Sequence, residues 1–289
     1  MPRVICAGHV NWDLTLRVDR LPKPDGEALI ESQRTAGGGS AANTAVALAG
    51  LGTTAGLIGS VGTDENGTLA REELTGAGLD LSHLLEVEAE TAVKYLIVDQ
   101  TGEVMVLGNK GANEAVTPEN VDADYVTSAD HLHLTSQRPD TAAHLAALAA
   151  EAGVPVSFDP GRRVASRDFS ATFPHVDYLF LNRHEAEQAA EKFDLDTPNR
   201  VVVTKFGAGG AQLISGGKLA SHPGFDIETT DSTGAGDAFA AGFIHAQLTG
   251  DSLPDSLEFA AACGALASQQ VGARGSLTPA RVDAFLETH

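Results

Sequence analysis

From residue 129 onward the chain repeats one pattern, a short apolar run followed by a longer helical one. That pattern restricts the fold more than any other feature of the sequence. It predicts a strand at 131–134, a helix at 141–152 and a strand at 154–158 ending in Asp159-Pro-Gly161. A strand at 178–181 ending at Asn182, a helix at 183–192 and a strand at 200–204 follow. Such alternation builds an α/β fold: a mostly parallel central sheet with helices on both faces, a three-layer α/β/α sandwich. In folds of this kind ligands collect at the carboxyl ends of the strands. Asn11, Asp13, Asp159, Asn182 and Asp231 all fall near expected strand ends.

The first half fits the same scheme with two interruptions. Residues 3–8 read as a buried strand, 41–51 as a small-residue helix, 54–59 as a strand, and Asp64 as the cap of a helix running to about 76. Between these, 14–36 is extended and partly alternating, punctuated by Leu21-Pro-Lys-Pro-Asp-Gly26. Two β-rich runs at 93–98 and 104–107 flank a turn. These are read as one β excursion in two pieces, about 10–36 and 91–110. Toward the end a hairpin at 212–221 precedes helices at 253–270 and 279–286. No repeat or low-complexity linker divides residues 1–289, so one domain with a small appendage is expected.

Nineteen basic residues against 39 acidic ones give a formal charge of −20, which argues against nucleic acid or an anionic membrane as a partner. The acids are scattered, not gathered into a tail. Only six of the nineteen basic residues are lysine, and alanine and glycine abound, a composition that suggests a proteome adapted to high salt. Cys6 and Cys263 stand alone, suit a reducing compartment and give no metal spacing. The start of the chain reads as a strand rather than a signal peptide, and no apolar run reaches membrane-spanning length. A cytoplasmic protein is expected.

Chemistry concentrates in Asp231-Ser-Thr-Gly-Ala-Gly-Asp237, a small-residue turn running into the apolar helical pattern of Phe239, Phe243 and Ile244. Free N–H groups at a helix start, with the helix dipole behind them, make an anion site. Gly234 and Gly236 let a ligand approach that backbone. Asp237 would repel an anion there unless its task is to take a proton. A phosphate cradle with a base at its lip describes phosphoryl transfer to an alcohol. Read alone, the stretch is better taken as a glycine turn with an N-cap acid; the rest of the chain shifts the balance.

Other motifs carry paired readings. Gly37-Gly-Gly-Ser-Ala-Ala-Asn43 imitates a dinucleotide fingerprint, but no buried strand precedes it. It is either a flexible turn before a helix or a backbone surface for a polyhydroxylated ligand with Asn43 on a hydroxyl. Asn11 and Asp13 lie two apart and share a side of an extended chain, as an Asx turn or as binders of sugar hydroxyls. Asn182-Arg-His-Glu185 reads as a capping box and also as a place where both groups organise Mg²⁺ water ligands near a triphosphate. Thr204-Lys-Phe-Gly-Ala-Gly-Gly210 is a plain turn or a contact for nucleotide phosphates, and is not a Walker A loop. His131 and His133, on a strand, are expected to place at most one ring in the core, and no metal is assigned to the histidines.

Together these motifs resemble the ribokinase-like (PfkB) carbohydrate kinase family. Gly38 to Gly52 is similar to its N-terminal signature and Asp231 to Phe243 to its C-terminal one. Val61-Gly-Thr-Asp-Glu-Asn-Gly67 and Asn182 to Glu185 match further family patterns in the right order. The resemblance implies an ATP-dependent kinase with Mg²⁺, in which Asp237 is the base and the N–H groups of Gly234, Ala235 and Gly236 form the anion hole. Asn11, Asp13, Gly38, Gly39 and Asn43 would hold the acceptor, Asn182 and Glu185 would serve phosphates and Mg²⁺, and Lys205 and Gly207 occupy nucleotide-loop positions. Asp231 and Thr233, with carbonyls around Gln270, Ala273 and Gly275, match by order a site for a monovalent cation, K⁺. The β excursion would be a lid that closes over the acceptor and joins two subunits of a homodimer.

Thr135-Ser136 departs from the family, standing where some of its sugar kinases carry an acid for the acceptor. His9 beside Asn11 resembles archaeal nucleoside kinases of the same family. The sequence therefore points to a kinase of a sugar or sugar derivative, with a ribonucleoside as the alternative acceptor. A non-catalytic sugar or nucleotide sensor would have no use for Asp237, and a dehydrogenase would need the fingerprint rejected above.

Overall fold

Val4 and Cys6 leave one side of β1 (Arg3–Ala7), Ile5 and Ala7 leave the other, and all four are fully buried. A strand apolar on both sides belongs in the middle of a layered sheet. In the computed structural model, which describes residues 3–195 and 197–289, β1 lies between β4 (Thr54–Gly62) and β8 (His131–Thr135), parallel to both. Beyond β4 comes β5 (Leu84–Val87). Beyond β8 come β9 (Val156–Asp159), β10 (Tyr178–Asn182) and β11 (Val201–Lys205), all parallel. The hairpin of β12 (Ala211–Ser215) and β13 (Lys218–His222) completes a nine-stranded sheet on its antiparallel edge.

Two helical layers cover it. α3 (Ala123–Thr127), α4 (Pro139–Glu151) and α5 (Arg183–Ala190) pack with Ile5, Leu132, Leu134 and Phe158 on one face. On the other, α1 (Ser40–Gly50), α2 (Glu65–Gly76) and α6 (Ala235–Thr249) pack with Val4, Cys6 and Leu57. α7 (Leu253–Ser268) and α8 (Pro279–Leu286) extend that layer. Small residues on α6 and α7 allow close approach, and a Cβ on Gly242 would stand 2.7 Å from the Cys263 sulfur.

A second sheet stands off the first. Its four strands, β2 (Asn11–Val18), β3 (Ile30–Gly38), β6 (Lys94–Val98) and β7 (Val104–Gly108), run in the order β3-β2-β6-β7. β2 is antiparallel to β3 and parallel to β6, and β7 is an outer strand exposed at every residue.

The expected α/β/α sandwich is the observed one, with local corrections. β5 and α3 carry too few residues to show a period and were not expected. Asp231 lies in no strand; its N–H meets the Ser268 carbonyl at the end of α7. His131 and His133 are both buried, because residues two apart on a strand share a face, and both reach the Ser157 hydroxyl, at 2.8 and 2.7 Å. Among the described residues no helix is long and apolar enough to cross a membrane, and both cysteines are free and buried.

Candidate active site

The start of α6 is set by one backbone conformation. Gly234 caps it with φ +78°, in the left-handed region, and a Cβ there would stand 2.4 Å from the Ala273 carbonyl oxygen. Only glycine meets both demands. The turn leaves the N–H groups of Gly234, Gly236 and Asp237 without protein partners among the described residues, while Ala235 donates to Ser232 at 3.2 Å. A Cβ on Gly236 would lie 3.4 Å from Lys205 Nζ, so a cation faces these donors. Lys205 Nζ also donates to Asp159 Oδ2 at 2.7 Å. Burial opposes its charge, but Asp159, Glu185 and Asp237 prevail and raise its pKa.

Asp237 sits in the first turn of α6, half-buried. Burial, and after it the Asp159 charge, push its carboxyl up to about 6, while the Asn43 hydrogen bond and the charges of Lys205 and Lys94 act the other way. Asn43 Nδ2 donates to Asp237 Oδ2 at 2.7 Å. Arg274 orients that amide by donating from Nε to Asn43 Oδ1 at 3.1 Å. The same guanidinium reaches Glu73 Oε1 and the Gly38 carbonyl, each at 2.8 Å, and its side chain is only 6% exposed. It fills the space above Gly37, where a Cβ would come within 1.8 Å of Arg274 Nη1.

The expected acceptor residues lie together: Asp13 meets Gly38 and Asn11, and Arg274 ties Gly38 to Asn43. Asp13 lies over Gly38, whose Cβ would overlap the carboxylate at 2.1 Å, and Oδ1 of Asp13 accepts from the Lys94 N–H at 3.3 Å. Burial raises the Asp13 pKa against the pull of Lys94 and Arg274. Gly39, at φ +91°, passes so close to the His9 carbonyl that no side chain fits. Asn11 is buried, with its Oδ1 taken by Asn113 Nδ2 at 2.6 Å, and this leaves its own amide N–H groups to donate.

Toward the β11–β12 turn a cavity of about 460 Å³ opens, walled by Lys205, Gly207, Gly210, Phe225, Gly236 and Ala265. It brings both nucleotide-loop positions to the helix start. Asn182 and Glu185 form the capping box in full: Glu185 N–H to Asn182 Oδ1 at 2.9 Å and Asn182 N–H to Glu185 Oε2 at 2.8 Å. Burial, then the Asp159 charge, raises the Glu185 pKa. Among the described residues no three His, Cys, Asp or Glu side chains converge as a metal cage. One cap-bound carboxylate facing Asp159 suits a Mg²⁺ ion that keeps most of its waters and arrives on phosphates.

In the loop expected from the sequence to take a monovalent cation, Asp231 accepts from Thr233 N–H and Gly272 N–H, both at 2.9 Å. Burial works against its charge, and these bonds nevertheless lower its pKa. Ala273 packs beside Gly234. Gln270 and Gly275 lie against one another, with Gln270 Oε1 accepting from Ser276 N–H at 2.9 Å.

Sequence reading missed Arg274, Glu73, Lys94 and Asn113. Arg274 stands between Ala273 and Gly275, where only carbonyls were sought. Asn113 follows the β excursion in a turn without periodicity.

Comparison with known proteins agrees with this fold. The pfkB family carbohydrate kinase model matches residues 1–281. The ATP-dependent ribose-1-phosphate kinase of Halopiger xanaduensis is 56% identical over 99% of this chain and 98% of its own. Among solved structures, the nucleoside kinase of Methanocaldococcus jannaschii superposes with TM-score 0.88 at 26% identity, covering 100% of this chain and 99% of that one. Arabidopsis thaliana ribokinase, complexed with ribose and ATP, also gives 0.88 at 26% identity, covering 99% and 98%. The chain belongs to the pfkB family of carbohydrate kinases.

Proposed function

We propose that this kinase transfers the γ-phosphoryl group of ATP to the primary hydroxyl of ribose 1-phosphate. The observation that carries the choice of acceptor is the 56% identity, over almost the whole of both chains, to a kinase named for that substrate. ATP occupies the cavity beside Gly207 and Phe225, with its terminal phosphate against the free N–H groups at the start of α6 and the Lys205 ammonium. Glu185 and Asp159 would hold a Mg²⁺ ion, which would supply charge neutralisation on the phosphates. The acceptor lies between Asp13, Asn11 and Asn43, its hydroxyl beside Asp237.

Asp237 takes the hydroxyl proton as the new P–O bond forms in line and the bond to ADP breaks. A pKa of about 6 suits this base, since at pH 7 its ionised form outweighs the acid by about tenfold. The donors at the helix start and Lys205 are in place beforehand, so they stabilise the developing charge without reorganising.

The four-stranded sheet serves as a lid, carrying Asp13 on β2 and Lys94 on β6 to the acceptor. Its outer strand exposes Val104, Val106 and Leu107, which supports pairing of lids in a homodimer. The charge of −20 supports adaptation to high salt, and the Asp231 loop is the place for a K⁺ requirement.

A coupled ADP-release screen decides the acceptor, run over ribose 1-phosphate, ribose, fructose and ribonucleosides, with KCl varied. Ribose 1-phosphate should give the highest kcat/KM. A nucleoside or free sugar in that place would overturn the assignment.

A further inference from the structure

Buried polar atoms are normally paired, and each one that is not calls for an explanation, a bound ligand or water among them. Among the described residues three such atoms lie at the ends of adjacent strands: His9 Nε2 past β1, and Ser136 Oγ and Gln137 Nε2 past β8. His9 and Gln137 are more than nine-tenths buried. Beside them is a cationic cluster. Arg163 donates to Glu114 Oε1 at 2.6 Å, and Arg167 donates to the same oxygen and to the Gln137 carbonyl, the latter at 2.5 Å. His9 Nε2 lies 4.0 Å from that Glu114 oxygen.

Two guanidiniums share one carboxylate, which leaves an uncompensated positive charge in a protein whose total is −20. Each guanidinium carries five N–H donors. The bonds to Glu114 and Gln137 engage one on Arg163 and two on Arg167. Both arginines are partly exposed, so the remaining donors reach open space.

The cluster adjoins the acceptor. Asn113, next to Glu114, holds Asn11 through its amide and the Val10 N–H through Oδ1, at 2.6 and 3.0 Å. The charges of Arg163, Glu114, Lys94 and Arg167 all act on His9, and Lys94 also acts on Asp237 and Asp13. Ser136 brings a neutral hydroxyl, and the one carboxylate in the cluster, Glu114, is bonded by both guanidiniums.

We propose that Arg163, Arg167, His9, Ser136 and Gln137 form a phosphate subsite that holds the phosphate already present on the acceptor, at the end of the sugar remote from the hydroxyl facing Asp237. Free guanidinium donors match phosphate oxygens in pairs, and the three unpartnered atoms complete the shell. Glu114 fixes the two arginines without cancelling them. The subsite rests on the phosphosugar reading above and gives it a structural basis for rejecting free sugars.

The test is the ratio of kcat/KM for ribose 1-phosphate to that for ribose, in wild type, Arg163→Gln, Arg167→Gln and Ser136→Glu. Loss of one charge-assisted contact should lower the ratio roughly 10- to 100-fold, chiefly through KM for ribose 1-phosphate. A purely structural role would lower both efficiencies and leave the ratio. Ser136→Glu adds an acid without removing a hydrogen bond, so it answers the question if an arginine variant fails to fold. Wild-type preference for ribose 1-phosphate with the ratio unchanged in the folded variants overturns the subsite alone. A wild-type preference for ribose or a nucleoside overturns the substrate reading, and the subsite with it.

Discussion

Asn43 and Asp237, 194 residues apart in the chain, share a 2.7 Å hydrogen bond at the meeting point of α1 and α6. The amide donates, so its partner oxygen is fixed and the second carboxylate oxygen is left for the proposed acceptor. Asp237→Asn preserves size and can accept the same bond, but cannot take a proton. It should retain ATP affinity, measured by titration calorimetry, and lose kcat by about 10²- to 10⁴-fold. Turnover near that of wild type would remove Asp237 from the role of base.

The raised Asp237 pKa sets a pH limb. The base works only when ionised, so kcat/KM for the acceptor should fall tenfold per unit below about pH 6 and level off above it. Stability runs the opposite way. The folded carboxyl holds its proton up to about pH 6, whereas the unfolded one loses it near the ordinary Asp value. Above pH 6 the fold therefore carries a partly buried charge that it lacks in acid. Asp237→Asn should raise stability by ~1–3 kcal/mol at pH 8, with the gain shrinking toward zero by pH 4. Urea titrations at the two pH values check this; a gain independent of pH would mean the charge is not the cause.

Two glycines give the same substitution opposite signs. Gly234→Ala forces a side chain into the left-handed region and against the Ala273 backbone, which should cost about 2 kcal/mol or more and displace the helix-start donors. Gly76→Ala, at the end of α2 with open space around its Cβ position, should add about 0.5 kcal/mol. Thermal melts of both variants, with kcat for the first, test the assignment of the turn.

The contrast between Gly234 and Arg274 shows how much the sequence discloses. The Asp231–Asp237 stretch is local: glycines, a helix start and an acid in its first turn state their geometry within seven residues. The parallel sheet is legible for the same reason, because strand and helix periods repeat over short windows. Arg274 is different. Its three partners, Asn43, Glu73 and the Gly38 carbonyl, come from segments more than 200 residues away. Nothing in the loop around it announces a buried guanidinium. The Arg163–Glu114–Arg167 cluster was hidden likewise, and the shared face of His131 and His133 was misjudged by ignoring the two-residue period of a strand.

Arg274→Ala should be among the more damaging single substitutions outside the hydrophobic core. It leaves Glu73 and the Gly38 carbonyl each one donor short and a void above Gly37. About 2–4 kcal/mol of stability should go, with kcat falling as Asn43 loses its orientation. Arg274→Lys keeps the charge but cannot serve three acceptors from a planar fork, and should recover only part of the stability. Equal melting temperatures for wild type and Arg274→Ala would show that the network does not hold the site.

The four-stranded sheet ends in β7, whose Val104, Val106 and Leu107 are 52%, 44% and 54% exposed. An open, apolar edge strand invites a second strand, and nothing in β7 blunts it with charge or proline. If two lids pair there, the native protein should sediment as a dimer, and Val106→Lys should shift it to a monomer. The same variant should raise KM for the acceptor more than KM for ATP, because the proposed acceptor contacts Asp13 and Lys94 lie on this sheet, whereas Lys205 lies on β11 of the main sheet and Gly207 in the turn after it. Sedimentation velocity in molar KCl, paired with steady-state kinetics, separates the outcomes. A wild-type monomer at tens of micromolar would sink the lid-to-lid dimer. A dimer unaffected by Val106→Lys would place its interface elsewhere.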